Sequence, residues 1–162
     1  MVMDSYACFN YLMITIELAK CADMKDIYQV GKECLPIYYQ KRDIVEFILD
    51  EKAIVLKAMV DNKVAGYVIG NERSKSNFHI NTFAVSHIYR RRGIGKQLIV
   101  DIIKRGTSDF FRNIDNITLY VQTVNVPAIS LYKSVGFGIE KELTDYYWEG
   151  GHAYEMKFNV AK

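Results

Sequence analysis

The chain has 162 residues, half of them hydrophobic, which suits one compact domain spanning positions 1 to 162 with its own core. Its net charge is +2, and apart from Arg90 to Arg92 the basic residues are spread along the sequence, so a phosphate-tracking nucleic-acid surface is not implied. Cys8, Cys21 and Cys34 are odd in number and lack C-x-x-C spacing, which argues against a disulfide framework or a zinc site and for buried thiols in a reducing, cytoplasmic compartment.

In chain order, the apolar stretch Tyr6 to Ala19 is interrupted by Asn10 and Glu17, and no basic residue precedes it. It therefore reads as an irregular leader and a first strand, Leu12 to Leu18, and not as a signal peptide or membrane span. Ala22 to Cys34 predicts a helix, with Met24, Ile27, Tyr28 and Val30 near one face. Leu35 to Tyr39 is a bend, and Asp43 to Asp50 a second short helix. Ala53 to Val60 and Val64 to Gly70 are β-rich runs flanking Asp61-Asn62-Lys63, the pattern of a hairpin. Phe78 to Ser86 is a further strand, and a helix begins at Ile94, where Leu98, Ile99, Ile102 and Ile103 follow at helical spacing. Asn116 to Gln122 then reads as a strand, Ala128 to Ser134 as a short helix, and Phe137 to Leu143 and His152 to Val160 as final strands. This order predicts an α/β fold, a mixed sheet with helices on both faces.

Arg90-Arg91-Arg92-Gly93-Ile94-Gly95-Lys96 falls between a strand and a helix. A helix start offers unpaired N–H groups and the positive end of the macrodipole, and arginine pairs well with phosphate. The R-x-x-G-x-G spacing is shorter than the dinucleotide fingerprint and lacks the Gly-Lys-Ser/Thr ending of a triphosphate loop. From these residues alone, a pyrophosphate cradle and a solvated basic turn are equal alternatives.

Three pieces in order carry a resemblance: Thr82-Phe83-Ala84-Val85, the Arg90-x-x-Gly93-x-Gly95 loop, and Asn125-x-x-Ala128-x-x-Leu131-Tyr132-x-x-x-Gly136-Phe137. Together they resemble the GNAT acetyltransferases, which move acetyl from acetyl-CoA to an amine. The resemblance implies the GNAT fold with about seven strands, and acetyl-CoA as donor. It implies that Arg90, Arg91, Arg92, Gly93, Ile94, Gly95 and Lys96 hold the CoA pyrophosphate. Phe83, Ala84 and Val85 would pair with the pantetheine arm, and Asn125 and Tyr132 would contact the cofactor.

More narrowly, Leu35-Pro36-Ile37-Tyr38-Tyr39 and Tyr146-Tyr147 resemble the acceptor-lining segments of protein N-terminal α-acetyltransferases acting on Met-initiated peptides. Leu35, Pro36, Ile37, Tyr39, Asn81, Tyr146 and Tyr147 are the implied acceptor residues. An apolar pocket of Leu35, Pro36 and Ile37 favours a Met side chain by about 1.5 to 3 kcal/mol of burial. Where such relatives use a Tyr and a His to relay the amine proton, this chain has His79 and Tyr120, the two types exchanged. His79 is the expected base, since an imidazole titrates near pH 6.5. Tyr120 would orient it or a water, and Tyr132 would donate to the leaving thiolate. The implied partner is a peptide or protein N-terminus, with an auxiliary subunit or ribosome association left open, and with no metal, direct nucleic-acid contact or membrane. Acetylation of lysine, a polyamine or another small amine, and a non-catalytic acyl-CoA-binding subunit, are the competing readings.

Overall fold

The computed structural model describes residues 13–111 and 113–161. In chain order its elements are β1 (Ile14–Leu18), a 3-10 turn (Cys21–Asp23), α1 (Met24–Cys34), α2 (Lys41–Leu49), β2 (Ala53–Val60), β3 (Lys63–Ser74) and β4 (Asn77–Val85). A second 3-10 turn (His87–Tyr89), α3 (Ile94–Gly106), β5 (Asn116–Gln122), α4 (Val126–Ser134), β6 (Gly138–Leu143) and β7 (Ala153–Asn159) complete it. The strands form one seven-stranded sheet in the order β1-β2-β3-β4-β5-β7-β6, as predicted a mixed one, since every pairing is antiparallel except β4 with β5.

Asp61 and Asn62, at φ 48° and 61°, supply the left-handed pair that a two-residue hairpin needs, and Val60 duly faces Lys63. The expected first helix divides into the 3-10 turn and α1. The second begins two residues earlier than predicted, at Lys41, where the Gln40 N–H donates to Asp43 Oδ2 at 2.9 Å. β3 runs four residues past Gly70, because Asn71 to Ser74 pair with the start of β4. β1 begins at Ile14; Leu12 and the rest of the predicted leader up to that point, with Cys8, lie outside the described residues. Of the remaining thiols, expected to be buried, Cys21 is exposed and Cys34 only half-buried.

Helices cover both faces. Ile27 and Val30 of α1 and Ile44 of α2 pack with Val55, Tyr67, Ile69 and Ala84 on one side. On the other, Ile94, Leu98, Ile99 and Ile102 of α3 and Ile129 and Tyr132 of α4 pack with Leu56, Val68, Phe78, Ile80 and Leu119. Lys57, only 8% exposed, reaches out of the sheet to Asp23 at 2.8 Å and so fixes the start of α1.

Two irregularities open the sheet. Ile69 pairs with Thr82 but Gly70 with Ile80, so Asn81 is an extra residue in β4, and Ile80 and Phe83 both turn to the α3 side. The parallel pairing of β4 with β5 stops at Ile80 opposite Leu119. Beyond that point the two strands part.

Candidate active site

The parting of β4 and β5 leaves a cavity of about 320 Å³. Its walls are Ile80 to Phe83 of β4, Leu119 to Gln122 of β5, the bend Cys34 to Tyr39, and Asn125, Tyr132 and Tyr147. None of these is an Asp, Glu, Lys, Arg or His. Of the predicted acceptor residues, Leu35, Pro36, Ile37, Tyr39, Asn81 and Tyr147 line it, although Ile37 is 57% exposed and stands at the mouth. Tyr146 is not among the wall residues and packs tilted against Tyr120 and edge-on against Tyr147, with ring centroids 4.8 and 4.9 Å away. Asn81 has its amide nitrogen engaged by Asn71 Oδ1 at 2.7 Å.

The pair expected to relay the proton is divided by the wall. Tyr120 lines the cavity, whereas His79 is 2% exposed, absent from the lining, and sits behind Tyr120 with ring centroids 4.9 Å apart. His79 Nδ1 lies 2.8 Å from Thr118 Oγ1, which the Asn77 amide also meets at 3.1 Å. Burial, helped by the Arg73 cation, pulls the imidazole down to about 3. Burial of this kind disfavours the charged imidazole, which weighs against the base role expected of His79 from the sequence.

Tyr132 is 6% exposed, packs against Phe83 and Phe137, and its phenol is pushed well above its ordinary value by burial. It stays protonated at the edge of the cavity. Burial likewise raises Tyr39, and pushes Tyr147 up to about 12. Asn125 caps α4 by accepting from the Ala128 N–H at 3.3 Å, which sets its side chain at the rim.

Ala84, Val85 and the basic loop are not among the residues that line the cavity. Ser86 donates to Ala65 O of β3, so by alternation Phe83 and Val85 turn their peptide groups to the edge that β5 has left. Val85 O accepts from Arg90 Nε at 3.0 Å and from Cys34 Sγ at 3.5 Å, which ties the loop to that edge. Gly93, at φ +79°, is the N-cap of α3, and no side chain caps that helix start. Gly95 is an ordinary helical residue; a Cβ there would stand 3.0 Å from Phe83 Cζ and 3.3 Å from Leu131 Cδ2. Left-handed backbone is thus used at Gly93 and not at Gly95, with Arg91, at φ +60°, as the loop's second such position. The arginines are not equivalent: Arg92 lies over the Tyr89 ring, 5.7 Å from its centroid. Lys96, like all three arginines, is exposed.

Sequence reasoning missed Thr82, Gln122 and Cys34, which line the cavity, and Arg73, whose Nη1 donates to the Tyr120 hydroxyl at 3.3 Å. Cys34 and Gln122 adjoin predicted segments and could have been drawn from them. Arg73 carries no such signal.

A cavity between two parted strands, with an open strand edge and an uncapped basic helix start beside it, is laid out for a long anionic thioester and an amine meeting end to end. The chain matches the model of the acetyltransferase (GNAT) family over residues 21–137, and it belongs to that family. It is an acetyl-CoA-dependent N-acetyltransferase. The N-alpha-acetyltransferase of Sulfurisphaera tokodaii is 33% identical to it over 152 residues, which cover 87% of this chain and 90% of that one. The corresponding protein of Saccharolobus solfataricus is 32% identical over 153 residues, covering 88% and 90%. The crystal structure of Ard1 from Thermoplasma volcanium superposes with a TM-score of 0.81 at 28% identity, covering 92% of this chain and 99% of that one. No helix among the described residues is long and apolar enough to cross a membrane.

Proposed function

We propose that the chain acetylates the α-amino group of protein N-termini, Met followed by a hydrophobic residue first among them, by direct transfer while donor and acceptor are both bound. The observation that carries this reading is that, among the described residues, no ionised side chain lines the cavity. Such a wall offers an ammonium ion no carboxylate partner and no base matched to its proton, which favours an amine with a sizeable neutral fraction. An α-amine, with pKa about 7.7 to 8, is neutral about 300 times more often at pH 7 than a lysine of pKa about 10.4. The N-alpha-acetyltransferases among the relatives point the same way.

Bound acetyl-CoA supplies the electrophilic thioester. Arg90 to Arg92, Lys96 and the first N–H groups of α3 would hold its pyrophosphate, and the open edge at Phe83 and Val85 its pantetheine arm. The Val85 N–H faces that edge and would donate where negative charge develops on the carbonyl oxygen. Tyr120, its hydroxyl held by Arg73, would position the amine or the water that removes its proton, with His79 fixing the Tyr120 ring from behind. Tyr132, kept protonated by burial, would donate to the departing sulfur. Leu35, Pro36 and Ile37 would receive the Met side chain.

The test is an acetylation screen of peptides varied at their first two residues, with an N-terminally blocked lysine peptide and a polyamine as controls. Met-Leu peptides should release CoA fastest. Equal or faster modification of the blocked lysine peptide or the polyamine would overturn the α-amine assignment.

A further inference from the structure

Arg73 stands apart from the cofactor loop and from the apolar pocket. It is the extra residue where pairing of β3 with β4 passes from Glu72 opposite Phe78 to Ser74 opposite Asn77. This irregularity turns the side chain over Tyr120, with the guanidinium carbon 5.4 Å from the ring centroid and Nη1 3.3 Å from the hydroxyl. Arg73 is exposed, and the ion pairs formed among the described residues do not include it. Its charge acts on Tyr39, His79 and Tyr146 as well, so it stands over the acceptor end of the cavity. Two further charged groups lie near this mouth: Asp43, which accepts from the Gln40 N–H and acts on Tyr39 with the opposite sign, and Lys141, which pairs with Glu155 at 3.0 Å.

We infer that Arg73 is a specificity-determining residue that favours acceptors with a carboxylate at their third residue and disfavours those with a cation there. This rests on the reading of the cavity as a site for peptide N-termini. An amine hydrogen-bonded to the Tyr120 hydroxyl lies about 3 Å from it, and the guanidinium is 3.3 Å beyond that oxygen. The guanidinium is then at most about 6 Å from the amine, within the reach of two residues of extended chain at roughly 3.3 to 3.6 Å each. The first side chain enters the apolar pocket and the third emerges beside Arg73. Because none of the described wall residues carries a charge, this exposed cation adds directly to the field at the mouth.

The experiment uses the full chain with acetyl-CoA and three peptides that begin Met-Leu-Glu, Met-Leu-Gln and Met-Leu-Arg and are otherwise identical. Wild type should prefer Glu over Arg by about 3- to 10-fold in kcat/KM, chiefly through KM, and the preference should collapse at high salt. Arg73→Gln should bring the ratio near one, Arg73→Glu should reverse it, and Arg73→Lys should keep it. A ratio taken within one enzyme cancels any loss of folded protein or displacement of Tyr120. If the substituted chains do not fold, the salt titration of wild type decides, and a preference that survives about 1 M salt overturns the inference. Acetylation of the Gln peptide with equal rates for Glu and Arg overturns the inference while leaving the α-amine reading intact. Acetylation of none of the three removes that reading and the inference with it.

Discussion

At His79 the fold removes a charge that the free side chain would carry below about pH 6.5. Burial beneath Tyr120 and the nearby Arg73 cation bring its folded value to about 3. Between those two values the unfolded chain binds a proton that the folded chain refuses, so stability falls as pH drops through that window and is flat with respect to His79 above it. Comparing urea unfolding of wild type and His79→Gln from pH 4 to 7 isolates this group. Wild type should lose up to about 1.4 kcal/mol per pH unit more than the variant; parallel pH slopes would mean that His79 ionises freely in the folded chain. The residue type was legible in the sequence, and the resemblance placed it beside Tyr120. Its side of the wall was not, because exposure depends on Tyr120, which lies 41 positions further on and is brought over it by the pairing of β4 with β5.

Among the elements, the start of α3 is where local sequence spoke most directly. Gly93 occupies a left-handed position, yet a Cβ there would meet nothing within 4 Å. Gly93→Ala therefore isolates the backbone cost, about 1 to 2 kcal/mol, without a steric one, and should lower the urea midpoint with an unchanged slope. No loss of stability would show that the loop relaxes to another conformation. The turn at Asp61 and Asn62, the bounds of β2 and β5, and the apolar stripe of α3 were equally readable, since each depends on neighbours within a few positions. The end of β3 was not. A glycine at position 70 suggested that the strand stopped, whereas Asn71 to Ser74 continue because β4 returns to pair with them.

At the scale of the molecule, the cavity exists because β4 and β5 pair over Asn77–Ile80 and Asn116–Leu119 and then separate. A long ligand lying along the open edge would bridge strands that otherwise meet only over that short ladder. CoA at 100 times its dissociation constant should stabilise the chain by about 2.7 kcal/mol, which for a domain of this size raises the melting temperature by roughly 5 to 10 °C. An unchanged melting temperature at saturating CoA would contradict the assignment of the edge and loop. By itself the sequence determined the order of strands and helices, the basic loop at a helix start, the Asn125 to Phe137 segment and, through these, the family; all are short-range patterns of periodicity and spacing. Only the tertiary structure decided that Tyr120 lines the cavity while His79 backs it, that Asn81 is an extra residue in its strand, and that Arg73 stands over Tyr120. Those outcomes follow from strand register and from where two strands part, which arise from pairings between distant segments and leave no mark in the residues nearby.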